Sequence, residues 1–122
     1  MSTAVSIICP YRNAAGFLSG LIANVRQQTH GDWELLLVDD GSSDGSTAIA
    51  KRYGEEYPDR IRYLCHPGHR NRGVCASRNL ALANARGRYV AILDADDVWE
   101  PEKLSEQADI LTTHPTVGMT YG

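Results

Sequence analysis

Two short apolar runs, each ending in a cluster of acids, constrain this chain more than anything else in it. Tyr89-Val90-Ala91-Ile92-Leu93 follows Gly87 and runs straight into Asp94-Ala95-Asp96-Asp97. Trp33 to Val38, almost continuously apolar, runs into Asp39-Asp40-Gly41 in the same way. β-Formers without polar alternation suit parallel strands covered on both faces. The acids then fall where those strands end. Carboxylates packed this closely repel one another, and each has its pKa raised if left unpaired. A cation resolves that conflict, and hard oxygen ligands suit Mg²⁺ or Mn²⁺. The plainer reading is a solvated acidic turn leading into the helix that Pro101 opens. The repetition of the pattern at two strand ends favours a site.

Between these runs the period alternates. Val5 to Cys9 reads as a strand stopped by Pro10, whose ring removes a ladder donor. Phe17, Leu18, Leu21, Ile22 and Val25 recur at three- and four-residue spacing, which predicts an amphipathic helix ending near Gln28. After the second strand, Asp39-Asp40-Gly41-Ser42-Ser43-Asp44-Gly45 is a polar loop. Ser46 is the expected N-cap of a helix that Pro58 stops. Ile61 to Cys65 is a third strand. His66 to Gly73 is a basic loop, followed by a helix over about Val74 to Asn84. Pro101 to Leu111 is a further helix, and Val117 to Tyr121 a last strand.

Strands alternating with single helices give βαβ units. The expected architecture is therefore a single domain over residues 1–122. It is a doubly wound α/β fold with a mainly parallel sheet and helices on both faces. Such sheets bind ligands at the carboxyl ends of their strands. Pro10-Tyr11, Asp39-Asp40 and Asp94-Ala95-Asp96 all fall at that edge, so three polar clusters are expected to converge on one crevice.

Composition narrows the partners. A formal net charge of −3 gives no electrostatic footprint for nucleic acid. Arg60, Arg62, Arg70, Arg72 and Arg78 concentrate positive charge mid-chain, enough for one phosphate-bearing small molecule, although ordinary surface charge explains most of them. No run is apolar enough to span a membrane, and the first residues lack the pattern of a signal peptide. Cys9, Cys65 and Cys75, an odd number without a tight framework, read as reduced thiols of a cytoplasmic protein. Cys65-His66-Pro67-Gly68-His69 with Cys75 matches no common zinc spacing. There is no G-x-G-x-x-G after the first strand, no P-loop and no nucleophile elbow. Asp40 to Gly45 lacks the spacing of a calcium loop.

Pro10-Tyr11-Arg12-Asn13, Val38-Asp39-Asp40-Gly41-Ser42-Ser43-Asp44, Gly73-Val74-Cys75-Ala76-Ser77-Arg78-Asn79 and Leu93-Asp94-Ala95-Asp96-Asp97 together resemble the ordered motifs of family 2 glycosyltransferases. The resemblance runs from about Val5 to Leu111. It implies a GT-A fold with a Rossmann-like nucleotide-binding half, and inverting transfer from a nucleotide-diphosphate sugar, with UDP favoured. It implies that Asp40, with Asp39 beside it, contacts base and ribose. Cys9, Pro10 and Tyr11 would line the nucleotide pocket. Asp94 and Asp96 match the D-x-D motif, with Asp96 the direct ligand of Mn²⁺ or Mg²⁺ and Asp97 an adjacent candidate. Arg78 would face the diphosphate, or else organise the acidic loops through a salt bridge.

Members of that family usually continue well past the D-x-D motif, with an acceptor-binding half and a carboxylate base. The base is therefore expected beyond Gly122; Glu100 and Glu102 lie too close to the motif to match it. The acceptor is expected to be a saccharide or a lipid-linked group, with a peripheral place at the inner face of a membrane. Val117, Met119 and Tyr121 are expected to favour self-association. Two other readings compete: a module that binds nucleotide sugar without transferring it, and a receiver-like domain phosphorylated with Mg²⁺. The receiver reading needs a lysine at a late strand end, whereas Lys51 and Lys103 fall on predicted helices.

Overall fold

The computed structural model describes residues 5–28, 33–87, 89–93 and, as backbone, 119–121. They form strands β1 (Val5–Tyr11), β2 (Trp33–Asp39), β3 (Ile61–Cys65), β4 (Tyr89–Ile92) and β5 (Met119–Tyr121). The helices are α1 (Leu18–Arg26), α2 (Ser46–Glu56) and α3 (Val74–Asn84), with a 3-10 turn at Pro67–His69. The sheet runs in the order β3-β2-β1-β4-β5, and every pairing is parallel. The chain begins in the middle of the sheet, winds outward to β3, then returns to the other side of β1. That reversal puts a topological switch point between β1 and β4, the place where such sheets hold ligands.

The two-residue period of the strands divides the interior into two layers. Ile7 and Cys9 of β1, Leu35 and Leu37 of β2, Ile61 of β3 and Ala91 and Leu93 at β4 face α1 and α2. On α1 the residues Leu18, Leu21, Ile22 and Val25 form the buried stripe, and Ala50 contributes from α2. The opposite layer holds Ile8, Leu36, Val38 and Ile92 against Ala81 of α3. Small residues, Ser77 and Ala81, form the buried face of α3, which lets the helix backbone lie close to the sheet. The continuous apolar run Leu35 to Val38 is explained by this arrangement, since both faces of β2 are covered and all four residues are fully buried.

Three local expectations are corrected. β1 does not stop at Pro10 but continues to Tyr11. Tyr11 O accepts from Asp40 N on the β2 side, while Ile8 O accepts from Leu93 N on the β4 side. Pro10 is in phase with Ile8, so its missing donor faces the β4 side, beyond the last β1–β4 pair among the described residues, at Ile8. Phe17 does not belong to the apolar stripe: it is the residue before α1 and is 55% exposed. Ser46 is the first residue of α2 rather than its cap. The capping side chain is Asp44, whose Oδ1 accepts from Ser46 N at 2.9 Å.

At the amino ends of the strands a buried polar network closes the fold. Ser6 Oγ donates to Glu34 Oε2 at 2.6 Å and accepts from Gly87 N at 2.8 Å. Glu34 also accepts from Arg86 N and from Arg62, whose Nη1 in turn reaches Asn84 O at 2.6 Å. Burial pushes the Glu34 carboxyl up, but the hydrogen bonds from Ser6, Arg86 and Arg62 outweigh it and hold it below its usual value.

Candidate functional site

Parallel register carries three loops to the same edge. Tyr11 pairs with Asp39, and Asp39 with Cys65, so the loops after β1, β2 and β3 leave the sheet side by side. β4 arrives next to them, with Leu93 bonded to Ile8. Every left-handed residue among the described ones lies in these loops: Asn13, Gly41, Gly68, His69 and Gly73. Two of them, Asn13 and His69, are not glycine, and non-glycine residues held in this conformation cluster at functional sites.

The loops are fastened to one another by side chains. Asn13 N donates to Ser42 Oγ at 2.9 Å, and Ser43 N donates to Asn13 Oδ1 at 2.7 Å. Ala14 N donates to Ser46 Oγ at 2.9 Å, while that hydroxyl also contacts Asp44. Across the other gap His69 Nε2 donates to Ser42 O at 2.9 Å. Gly41, at φ +77°, lies against the backbone of Arg70 and Asn71.

The adjacent aspartates have different surroundings because successive side chains leave a strand on opposite faces. Asp39 turns toward α2 and is fully buried. Its Oδ1 accepts from Ser42 N at 2.8 Å, and its Oδ2 from Thr47 Oγ1 at 2.6 Å and Tyr63 Oη at 3.1 Å. Burial raises its pKa, but these donors outweigh that effect and keep it below its usual value. Burial and then the Asp39 charge push the Tyr11 phenol far above its ordinary range. Tyr63 is pushed the same way by the same causes. Both phenols are neutral beside a charged carboxylate.

Asp40 turns toward α3. Its Oδ1 accepts from Arg72 N at 2.7 Å, and both of its oxygens lie 3.1 Å from Gly73 N. His66 Nε2 lies 3.5 Å from Oδ1 and 3.0 Å from Ser77 Oγ. Asp40 thus sits at the amino end of α3, where a negative charge is favoured by the helix dipole.

Asp40, Pro10, Tyr11, Arg12 and Val74 line a cavity of about 180 Å³ at the carboxyl edge of the sheet, between the ends of β1 and β2 and the start of α3. A wider hollow of about 470 Å³ lies against the outer edge of β3, lined by Lys51, Gly54, Glu55 and Arg62 among others. The smaller cavity is the better candidate, because converging polar groups and not volume make a ligand site. Val74 is 50% exposed there, an apolar surface at the mouth of a polar crevice.

Pro10, Tyr11 and Asp40 therefore meet at one cavity. The Cys9 side chain does not line it, being fully buried in the layer facing α1 and α2. Asp39 is committed to the loop that carries its neighbour. Arg78 lies on α3 with a buried Nε that has no hydrogen-bond partner among the described residues. Asp94, Asp96, Asp97, Glu100 and Glu102 lie outside the described residues, as do Pro101 to Leu111, Lys103 and Val117. Among the described residues no group of three acidic, histidine or cysteine side chains is placed to hold a metal. Two of the mid-chain arginines are at the far edge: Arg60 stacks on the Trp33 ring at 3.8 Å, and Arg62 joins Glu34. Thr47, Tyr63, His66 and Ser77, absent from the sequence-based site, all touch the two aspartates or their partners. Of these, Ser77 stood within one of the family 2 motifs, and His66 only in a cysteine–histidine stretch that matches no common zinc spacing.

The family model for glycosyl transferase family 2 matches residues 6–121. The chain belongs to that family. It is similar to an uncharacterized glycosyltransferase of Nostoc, 38% identical over 96% of this chain and 35% of the relative. It is 36% identical to the Escherichia coli UDP-Glc:alpha-D-GlcNAc-diphosphoundecaprenol beta-1,3-glucosyltransferase WfgD, over 97% of this chain and 44% of that protein. The chain thus spans less than half the length of these relatives. Among solved structures, a Pyrobaculum calidifontis mannosyltransferase in complex with GDP-Man and Mn²⁺ superposes with a TM-score of 0.84. That match is 29% identical and covers 96% of this chain and 34% of the other. Staphylococcus aureus TarS in complex with UDP-GlcNAc gives a TM-score of 0.76 at 27% identity, over 92% of this chain and 32% of that one. The parallel sheet and its flanking helices are those of the GT-A fold that the family 2 motifs imply. No helix among the described residues is long and apolar enough to cross a membrane.

Proposed function

We propose that this family 2 domain binds a nucleotide-diphosphate sugar at the carboxyl edge of the sheet and serves its transfer, with inversion, to an acceptor hydroxyl. The observation that carries the reading is the position of Asp40, a carboxylate on the wall of the cavity formed by Pro10, Tyr11, Arg12 and Val74. A carboxylate accepts hydrogen bonds only, so it suits the N–H of a base or a ribose hydroxyl. Its existing bonds to Arg72 and Gly73 hold one side of it before a ligand arrives. Asp39 supports that wall from behind, through Ser42 and Thr47.

Asp94 and Asp96, which follow Leu93 in the chain, are the residues to hold Mn²⁺ or Mg²⁺, with Asp97 adjacent. Carboxylate oxygens are the donor type those cations take. A bound cation would act as a Lewis acid on the leaving diphosphate. Arg78, whose buried Nε has no partner among the described residues, is suited to the same diphosphate. The neighbours' ligands include both a guanosine and a uridine nucleotide. Uridine is favoured for this chain, and a saccharide or lipid-linked acceptor at the inner face of a membrane is in keeping with the diphosphoundecaprenol in the name of the Escherichia coli relative.

The test is calorimetric titration with UDP, GDP and ADP, with Mn²⁺ and with EDTA. UDP is expected to bind best and only with the metal. Asp40→Asn is expected to weaken it by about 1.5–3 kcal/mol, the range for a hydrogen bond to a charged group. Equal affinity for all three nucleotides would overturn the assignment of Asp40 to the base.

A further inference from the structure

His66 is 5% exposed at the carboxyl end of β3, and Ser77 on α3 is fully buried. The imidazole Nε2 lies between two oxygens, Ser77 Oγ at 3.0 Å and Asp40 Oδ1 at 3.5 Å. A carboxylate has no proton to give, so a bare lone pair on Nε2 would face a negative oxygen in a site screened from water. The tautomer with Nε2–H is the one that removes this repulsion. Ser77 Oγ is at hydrogen-bond distance from that nitrogen, and the carboxylate, at 3.5 Å, is within ion-pair reach.

We infer that His66 is a positioning residue for nucleotide recognition: with Ser77 behind it, its Nε2–H holds the Asp40 carboxylate in the direction that meets the ligand. It touches no ligand itself and acts through Asp40 alone. The inference rests on the nucleotide reading of the site, and deepens it. The Arg72 and Gly73 amides fix one side of the carboxylate, and the imidazole fixes the other. Without the imidazole, Asp40 retains its bonds to α3 but gains freedom to rotate away from the cavity. A group held within a few tenths of an ångström recognises a base better than one that must be ordered on binding.

The decisive experiment is a double-mutant cycle on UDP binding in Mn²⁺, using His66→Leu, Asp40→Asn and the pair. His66→Leu is expected to weaken UDP about tenfold in the wild-type background and less than twofold in the Asp40→Asn background, because residues acting as one unit are not additive. Penalties that multiply, or a His66→Leu chain that binds UDP like wild type, overturn the inference. Should His66→Leu fail to fold, His66→Gln and His66→Asn carry the same comparison. Glutamine returns an N–H donor at the reach of Nε2 and should restore affinity, while asparagine is too short; equal affinities would overturn the role. Amide resonances of Arg72 and Gly73 in the ligand-free protein give a separate readout, since both amides donate to Asp40 and should shift in His66→Leu and return in His66→Gln. Wild-type protein that binds no nucleotide would refute the function proposed above, while those resonances still decide whether His66 holds Asp40. Resonances that do not move overturn it.

Discussion

Gly41→Ala tests the way the loops are locked, and its cost follows from the coordinates. Gly41 has φ +77°, and a Cβ placed there would lie 2.7 Å from Asn71 N and 3.0 Å from Arg70 C and Asn71 Cα. All three neighbours are backbone, so no flexible side chain can swing aside. The left-handed conformation itself costs a non-glycine residue about 1–2 kcal/mol. Forcing an extra methyl into a filled space costs about 1–3 kcal/mol more. The expected destabilisation is therefore about 2–5 kcal/mol, a large part of the about 5–15 kcal/mol that holds a domain together. The displacement also separates Asp40 from Arg72 and Gly73, so nucleotide affinity should fall by more than the loss of fold explains. Urea unfolding followed by circular dichroism measures the first effect, and calorimetry at a temperature where the variant is folded measures the second. Gly20→Ala is the matched control: Gly20 is exposed within α1 with nothing within 4 Å of an added Cβ. It should stabilise by about 0.5–1 kcal/mol. A Gly41→Ala chain that loses less than about 1 kcal/mol would refute the interlocking of the two loops.

Three further outcomes are expected. Thr47→Val keeps the shape but removes the 2.6 Å donor to Asp39, and should cost about 1.5–3 kcal/mol by urea unfolding; a change under about 0.5 kcal/mol would show that Asp39 is adequately held by Ser42 and Tyr63. Glu34 and Asp39 are held below their usual pKa values in the folded chain, so the unfolded chain binds protons more readily. The stability they supply is complete above about pH 4, the unfolded carboxylate range, and is lost as pH falls through their lowered folded values. Urea midpoints at pH 7, 5 and 3 should fall only in the last interval and less steeply in Glu34→Gln; a flat profile contradicts this. Asp96→Asn should abolish most of the Mn²⁺ dependence of UDP binding without changing the circular dichroism spectrum, and an unchanged dependence would remove Asp96 from the ligand set.

Much of this protein is legible in its order of residues. The apolar run Leu35 to Val38 specifies a strand covered on both faces, because it is short, lies between turn residues, and has a pleat that sends successive apolar side chains to opposite sides. The alternation of such runs with helical periods specifies βαβ units, and chain direction alone then puts Asp39-Asp40 at the ligand edge. What tertiary structure decided is how neighbouring residues divide the work. Asp39 and Asp40 are the same residue type side by side, yet strand pleat sends one to the α2 face and the other to the α3 face. One becomes a buried support for its loop, and the other a wall of the cavity. Pro10 ends a strand by every local rule, but its missing donor is on the β4 side, while on the β2 side the pairing runs on through Tyr11 and Asp39, so β1 continues. His66 and Ser77, and Thr47 and Tyr63 with Asp39, become partners only when distant segments pack together. No spacing along the chain encodes those contacts, because their geometry is set by the register of the sheet and the seating of the helices upon it.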